Sequence, residues 1–92
     1  MKRRSRKRTG SRWYVYLLRC ADGSLYCGIT NELVARFINH NCGKGAKYTR
    51  ARCPVELVYA ETANSFSAAL KREYAIKQLS KREKEALCAT SE

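Results

Sequence analysis

The chain has 92 residues, enough for one small domain with a thin core and too few for two. Nineteen Lys and Arg against eight Asp and Glu give a formal net charge of +11, which favours polyanionic partners over acidic-surface chemistry. No apolar run approaches the ~20 residues of a membrane helix, and the five cysteines at 20, 27, 42, 53 and 88 contain no C-x-x-C pair, so neither a spanning segment nor a zinc site is expected.

Along the chain, the opening MKRRSRKRTGSR has seven cations and no acid. It holds nothing to bury, so residues 1–12 read as a disordered basic arm and residues 13–92 as the domain. Without those seven charges the remainder is only +4. The arm either adds salt-sensitive affinity for nucleic acid or is a solvated tail. His40-x-Cys42 is the only near pair of metal-type ligands, without partners at matching spacing. Reduced cysteines, mostly buried as small apolar residues, are therefore expected, and with them a cytoplasmic location.

Trp13 to Cys20 is a continuous apolar run, the pattern of a strand covered on both faces. Ala21-Asp22-Gly23 forms a turn and Leu25 to Thr30 the return strand. Turn chemistry alone permits two registers. A two-residue Asp-Gly loop pairs Cys20 with Leu25 and puts Tyr16 and Tyr26 on different faces. A three-residue loop, with a left-handed Gly23, pairs Tyr16 with Gly28 and puts both tyrosines and the glycine on one face.

Asn31 caps a helix to about Asn41, with Leu33, Val34, Phe37 and Ile38 as its apolar stripe. Arg36 and His40, four apart, are neighbours along one edge. The loop to Cys53 is rich in glycine and cations, and a third strand runs from Val55 to about Ala60. Asn64 or Ser65 caps a helix from Phe66 to about Leu79, and Ser80 caps another from Lys81 to about Ala89. The order β-β-α-β-α-α predicts an α+β fold, a small three-stranded antiparallel sheet with helices packed on it.

One carboxylate is in an unexpected place. Phe66, Ala69, Leu70 and Ile76 define the buried arc of the Phe66 helix, and stepping 100° per residue puts Glu73 about 340° from Phe66, near the middle of that arc. An inward glutamate costs several kcal/mol unless it is paired, hydrogen-bonded or bound to a metal. Its readings are a structural ion pair to Arg36, a hard-cation ligand or an acid-base group. A lone carboxylate does not suit a two-carboxylate glycosidase or a paired-metal nuclease. It suits one Mg²⁺, which keeps several waters and takes phosphate oxygens as ligands. No serine has a His-Asp pair, since the chain has a single histidine. Arg36 and His40 together offer a phosphate clamp and a proton carrier.

Taken in order, Tyr14-Val15-Tyr16, Tyr26-Cys27-Gly28, Arg36, His40 and Glu73 resemble the signature of the GIY-YIG nuclease domain, over about Trp13 to Leu87. With Gly45-Ala46-Lys47-Tyr48-Thr49-Arg50, the chain looks like the small single-domain bacterial branch of that superfamily. Tyr14 stands at the first glycine of the signature, and Val15 and Cys27 at its isoleucines. Asn64 precedes the Glu73 helix, where some members have an asparagine after it.

The resemblance implies a phosphodiesterase using one divalent ion, Mg²⁺ or Mn²⁺, held by Glu73. It implies that Tyr16 or Tyr26 assists attack on phosphorus, that Arg36 neutralises the phosphoryl oxygens and that His40 orients or relays a proton. A free tyrosine, with a pKa of ~10, is a poor base unless cations or a metal lower that value. The resemblance also selects the three-residue turn, leaving Gly28 as room for a phosphate beside Tyr16. Lys44, Lys47, Tyr48, Arg50 and Arg52 interleave cations with an aromatic, the pattern of a nucleic-acid backbone clamp with a stacking platform. Tyr48 belongs to this clamp or to the site itself. The expected partner is nucleic acid, DNA ahead of RNA, with no membrane. The rival readings are a binding module without turnover, associated with RNA or the ribosome, and a subunit that takes its specificity from a protein partner.

Overall fold

The computed structural model describes residues 12–41 and 45–90; the arm over residues 1–11 and Lys44 of the expected clamp lie outside the described residues. Three strands, β1 (Trp13–Arg19), β2 (Leu25–Thr30) and β3 (Glu56–Ala63), form an antiparallel sheet in the order β2-β1-β3. Helices α1 (Leu33–Asn41) and α2 (Lys47–Arg50) lie between β2 and β3 in the chain, and α3 (Phe66–Lys77) and α4 (Lys81–Thr90) follow.

The apolar run of β1 explains its central position. Val15, Tyr16, Leu17 and Leu18 are all buried, which requires cover on both faces. On one face Val15, Leu17 and Cys27 pack with Ala69 and Ile76 of α3. On the other, Tyr16, Leu18, Cys20 and Val55 pack with Tyr26, Leu33, Phe37 and Tyr48. The β1–β2 register pairs Tyr16 with Gly28 and Leu18 with Tyr26, the arrangement of the three-residue turn. The Cys20 amide donates to the Ser24 carbonyl at 2.9 Å, and Gly23 sits at φ +87, which a side chain resists.

The structure differs from expectation at several boundaries. Glu32 precedes α1, its amide donating to the Thr30 hydroxyl at 3.0 Å, so Asn31 is not the cap. The cationic loop contains the short helix α2, which has no apolar periodicity of its own. Strand β3 runs to Ala63 and carries an irregularity: Leu17 pairs with Tyr59 but Leu18 with Leu57, leaving Val58 as the extra residue. Ser65, not Asn64, caps α3, accepting from the Ala68 amide at 3.0 Å. Ser80 and Glu83 cap α4 reciprocally, at 2.9 and 3.1 Å. A two-pronged ion pair from Arg19 to Glu85, at 2.5 and 2.6 Å, ties α4 to the sheet.

The buried arc of α3 is narrower than its sequence suggests. Ala69 and Ile76 are buried, whereas Phe66 is 50% and Leu70 42% exposed. The reason is geometric. The sheet touches α3 along the 69–76 line, which leaves Phe66, Leu70 and Tyr74 on an outer flank. Glu73 is at the edge of that line and not at its centre.

Candidate active site

The site begins with the side chains that β1 and β2 present on the α1–α2 face. Tyr16 is 2% exposed, and its ring lies directly over Gly28. A Cβ at position 28 would fall 2.5 Å from the Tyr16 hydroxyl oxygen and 2.7 Å from Cζ. The room left by Gly28 is therefore filled by the phenol of Tyr16, which corrects the expectation that this space admits a phosphate.

Helix α1 delivers His40 to the same place. His40 is 0% exposed. His40 Nε2 lies 3.1 Å from the Tyr16 hydroxyl, and His40 Nδ1 lies 2.6 Å from the hydroxyl of Thr49 on α2. Thr49 is itself 0% exposed and donates to the Ala46 carbonyl at 3.0 Å. Gly45 makes this packing possible, since a Cβ there would run into the imidazole, 2.7 Å from Cγ. The Cys53 thiol donates to the His40 carbonyl at 2.8 Å and holds the end of the helix.

Around this line stand two more aromatic rings. Tyr26 lies 5.3 Å from the His40 ring, and Tyr48 stacks on Tyr26 at 5.9 Å with the planes 19° apart. The guanidinium of Arg52 covers Tyr48 at 4.0 Å, donates to the Tyr48 carbonyl at 2.9 Å and pairs with Asp22 at 3.0 Å. Arg52 is thus committed to holding the turn and the ring, which corrects its expected place in a nucleic-acid clamp. Lys47 and Arg50 are exposed.

Electrostatics separate the ionisable groups. Burial pushes Tyr16 up to about 12, against the opposing pull of the nearby Arg36 guanidinium. Neighbouring cations do not make this tyrosine acidic, contrary to the condition set for it as a base. Tyr26 is also raised, first by burial, while Lys77 and Arg36 pull it down and Glu73 pushes it up. Burial, and then the Arg36 charge, hold His40 below its ordinary value, so the ring is neutral at physiological pH. The Cys27 thiol is raised to about 11 by burial and the nearby Glu73 charge, as for a packed and unreactive thiol.

Glu73 reaches the site from α3, near enough to perturb both Tyr26 and Cys27. Its side chain is 19% exposed and pairs with Lys77 at 3.3 Å, so the ion-pair partner is Lys77 and not Arg36. Among the described residues no three His, Cys, Asp or Glu side chains cluster as a metal cage. A partly solvated carboxylate whose ion pair, among the described residues, is to a lysine one turn along the helix fits a hydrated hard cation.

The structure thus brings Tyr16, Tyr26, Arg36 and His40 together, with Glu73 at the border. Four contributors escaped the sequence reading. Thr49 on α2 and Gly45 just before it belong to the stretch quoted for the family resemblance, but without periodicity it gave them no role, and contact with His40 supplies one. Lys77 and Lys84 line a groove of about 370 Å³ with Leu25, Tyr26, Cys27 and Tyr48, and the α3–α4 turn that brings the two lysines together is tertiary. Among the described residues no helix is long and apolar enough to cross a membrane.

Comparison with known proteins gives consistent results. A family model described as the GIY-YIG catalytic domain matches residues 12–86. A UPF0213 protein of Desulfotalea psychrophila is 56% identical over 81 residues, covering 87% of this chain and 74% of its own. One from Vibrio cholerae is 55% identical over 80 residues, covering 86% and 79%. The solution structure of the UPF0213 protein BH0048 from Bacillus halodurans superposes with a TM-score of 0.56 at 46% identity, over 86% of this chain and 84% of that one. That of protein EF2693 from E. faecalis gives 0.59 at 38% identity, over 98% and 90%.

Proposed function

Because the chain belongs to the GIY-YIG catalytic domain family, we propose that it is a nuclease that hydrolyses phosphodiester bonds of nucleic acid, DNA ahead of RNA, in DNA processing or repair. The observation that carries this reading is the buried Tyr16–His40 hydrogen bond, with the Arg36 guanidinium near enough to act on the Tyr16 phenol. A structural tyrosine needs neither a neutral imidazole at its hydroxyl nor a guanidinium nearby.

The chemistry follows from those groups. Tyr16, kept protonated by burial, is too weak an acid to act alone as the phenolate. Its oxygen takes a proton from the attacking water as its own proton passes to His40 Nε2, so no free phenolate forms. Water oxygen bonds to phosphorus, the bond to the leaving oxygen breaks, and that oxygen takes a proton from solvent. Arg36 offsets the charge that grows on the phosphoryl oxygens. Tyr26 shields the proton path. Glu73 would hold Mg²⁺ or Mn²⁺, which when bound supplies Lewis-acid stabilisation of phosphoryl charge. Lys47 and Arg50 on α2 and Lys77 and Lys84 in the groove offer phosphate contacts, with Tyr48 as a stacking surface.

The test is cleavage of labelled single-stranded, duplex and branched DNA, and of matched RNA, with Mg²⁺ or Mn²⁺. Wild type is expected to cut, and Glu73→Ala to bind equally while losing at least about 100-fold in rate. Binding without cutting by both proteins overturns the hydrolytic reading and leaves a binding module.

A further inference from the structure

We propose that Thr49 is a positioning residue that locks His40 in its Nδ1–H tautomer, so that the bare Nε2 faces the Tyr16 hydroxyl. Its catalytic consequence rests on the hydrolytic reading above; its geometry does not.

The argument is one of donors and acceptors. A carbonyl oxygen only accepts, and the Thr49 hydroxyl oxygen lies 3.0 Å from that of Ala46, so the hydroxyl donates there, on the second lone pair beside the Arg50 amide. The Thr49 oxygen is then an acceptor for what lies 2.6 Å away, His40 Nδ1. A neutral imidazole carries one ring hydrogen, so a proton on Nδ1 leaves Nε2 bare. At 3.1 Å that nitrogen accepts from Tyr16. The hydrogen bonds thus run one way, from Tyr16 through His40 and Thr49 to the main chain of the α2 turn.

Burial makes the choice strict. His40 and Thr49 are both 0% exposed, so bulk water cannot replace the hydroxyl. The opposite tautomer would set Nδ1 as an acceptor against an oxygen whose hydrogen is already used. It would also direct Nε2–H at a phenol whose own hydrogen then has no partner there. Gly45 lies against the ring from the loop side, so close that a Cβ there would run into the imidazole. Among the described residues, the groups that face the ring are Tyr16 from β1, Tyr26 from β2, Arg36 from its own helix and Thr49 from α2. None of them offers Nδ1 a second acceptor. A tautomer fixed in advance spares the site a ring reorientation when Tyr16 releases its proton.

His40 is the sole histidine of the chain, which makes the measurement direct. Long-range ¹H–¹⁵N correlation on the full-length protein, above the ring's titration, identifies the bare and the protonated nitrogen. Wild type and Thr49→Ser are expected to show a bare Nε2 and a protonated Nδ1. Thr49→Val keeps the shape and removes the acceptor, and it is expected to move at least half of the population to Nε2–H. Should Thr49→Val fail to fold, Thr49→Ala takes its place. A wild-type ring protonated at Nε2, or a hydroxyl-free variant that keeps the wild-type tautomer, overturns the proposal. In the cleavage assay kcat is expected to fall between about 10-fold and 100-fold in Thr49→Val with KM unchanged, and to return in Thr49→Ser. If wild type cuts no substrate, the hydrolytic reading falls while the tautomer result still stands or falls by the spectrum.

Discussion

The two faces of one sheet divide the work of this protein. Under α3 the face is mainly apolar: Val15, Leu17, Cys27, Ala69 and Ile76 pack as one cluster, with Glu73 at its border. Under α1 and α2 the face holds Tyr16, Leu18, Cys20 and Val55, and there the buried polar groups His40 and Thr49 are joined to Tyr16. Adjacent residues of one strand, Tyr16 and Leu17, therefore serve different ends. A small domain can bury a polar line only if each atom is partnered, and the other face supplies the transfer free energy that offsets its desolvation.

This contrast can be broken from either side. The largest effect is expected from Tyr16→Phe, which removes the hydroxyl and leaves His40 Nε2 without its donor. Cleavage should fall by about 10²- to 10⁴-fold, while stability drops by only about 1–3 kcal/mol. A rate unchanged by this substitution would take Tyr16 out of the chemistry.

Ile76→Ala strikes the other face. It should cost about 2–5 kcal/mol in denaturant unfolding, as a cavity in a fully buried position does. The His40 ring resonances should keep their wild-type positions, since the sheet stands between; a shift in them would show that the faces are not independent.

The smallest effect, and the one most specific to the polar face, is its response to pH. Tyr16 has its folded pKa raised to about 12 from 10, so its contribution is complete below pH 10 and is lost as pH rises toward 12, up to roughly 3 kcal/mol. His40 has its folded value lowered, so its contribution is complete above the ordinary histidine value and is lost as pH falls through and below it. Unfolding titrations should show both limbs. In Tyr16→Phe the alkaline limb should shrink.

Much of the frame was legible before any coordinates. The run WYVYLLRC has the composition of a central strand and is one, because only a strand covered twice can bury four consecutive residues. Glu73 stood out because helical periodicity brought it near Ala69 and Ile76, and in the structure it borders them. Periodicity also misled, since Phe66 and Leu70 share the apolar pattern yet stay half-exposed on the flank of α3, Phe66 resting against the Trp13 ring at 4.9 Å. Arg52 looked like a free cation of the loop, and only the fold shows that Asp22 and Tyr48 use it.

By itself, then, the sequence determined the elements, their order, the charge and an ordered set of chemistry-bearing residues, because each depends on neighbours within a few positions. Turn chemistry left Ala21-Asp22-Gly23 with two registers; the family resemblance selected the three-residue loop, and the observed pairing of Tyr16 with Gly28 agrees with it. The tertiary structure alone decided which hydrogen-bond partners His40 has, that Thr49 and Gly45 belong to the site, and that burial raises rather than lowers the Tyr16 pKa. Those properties depend on distance and on the exclusion of water, and residues 16, 40 and 49 acquire both only when β1, α1 and α2 close on one another.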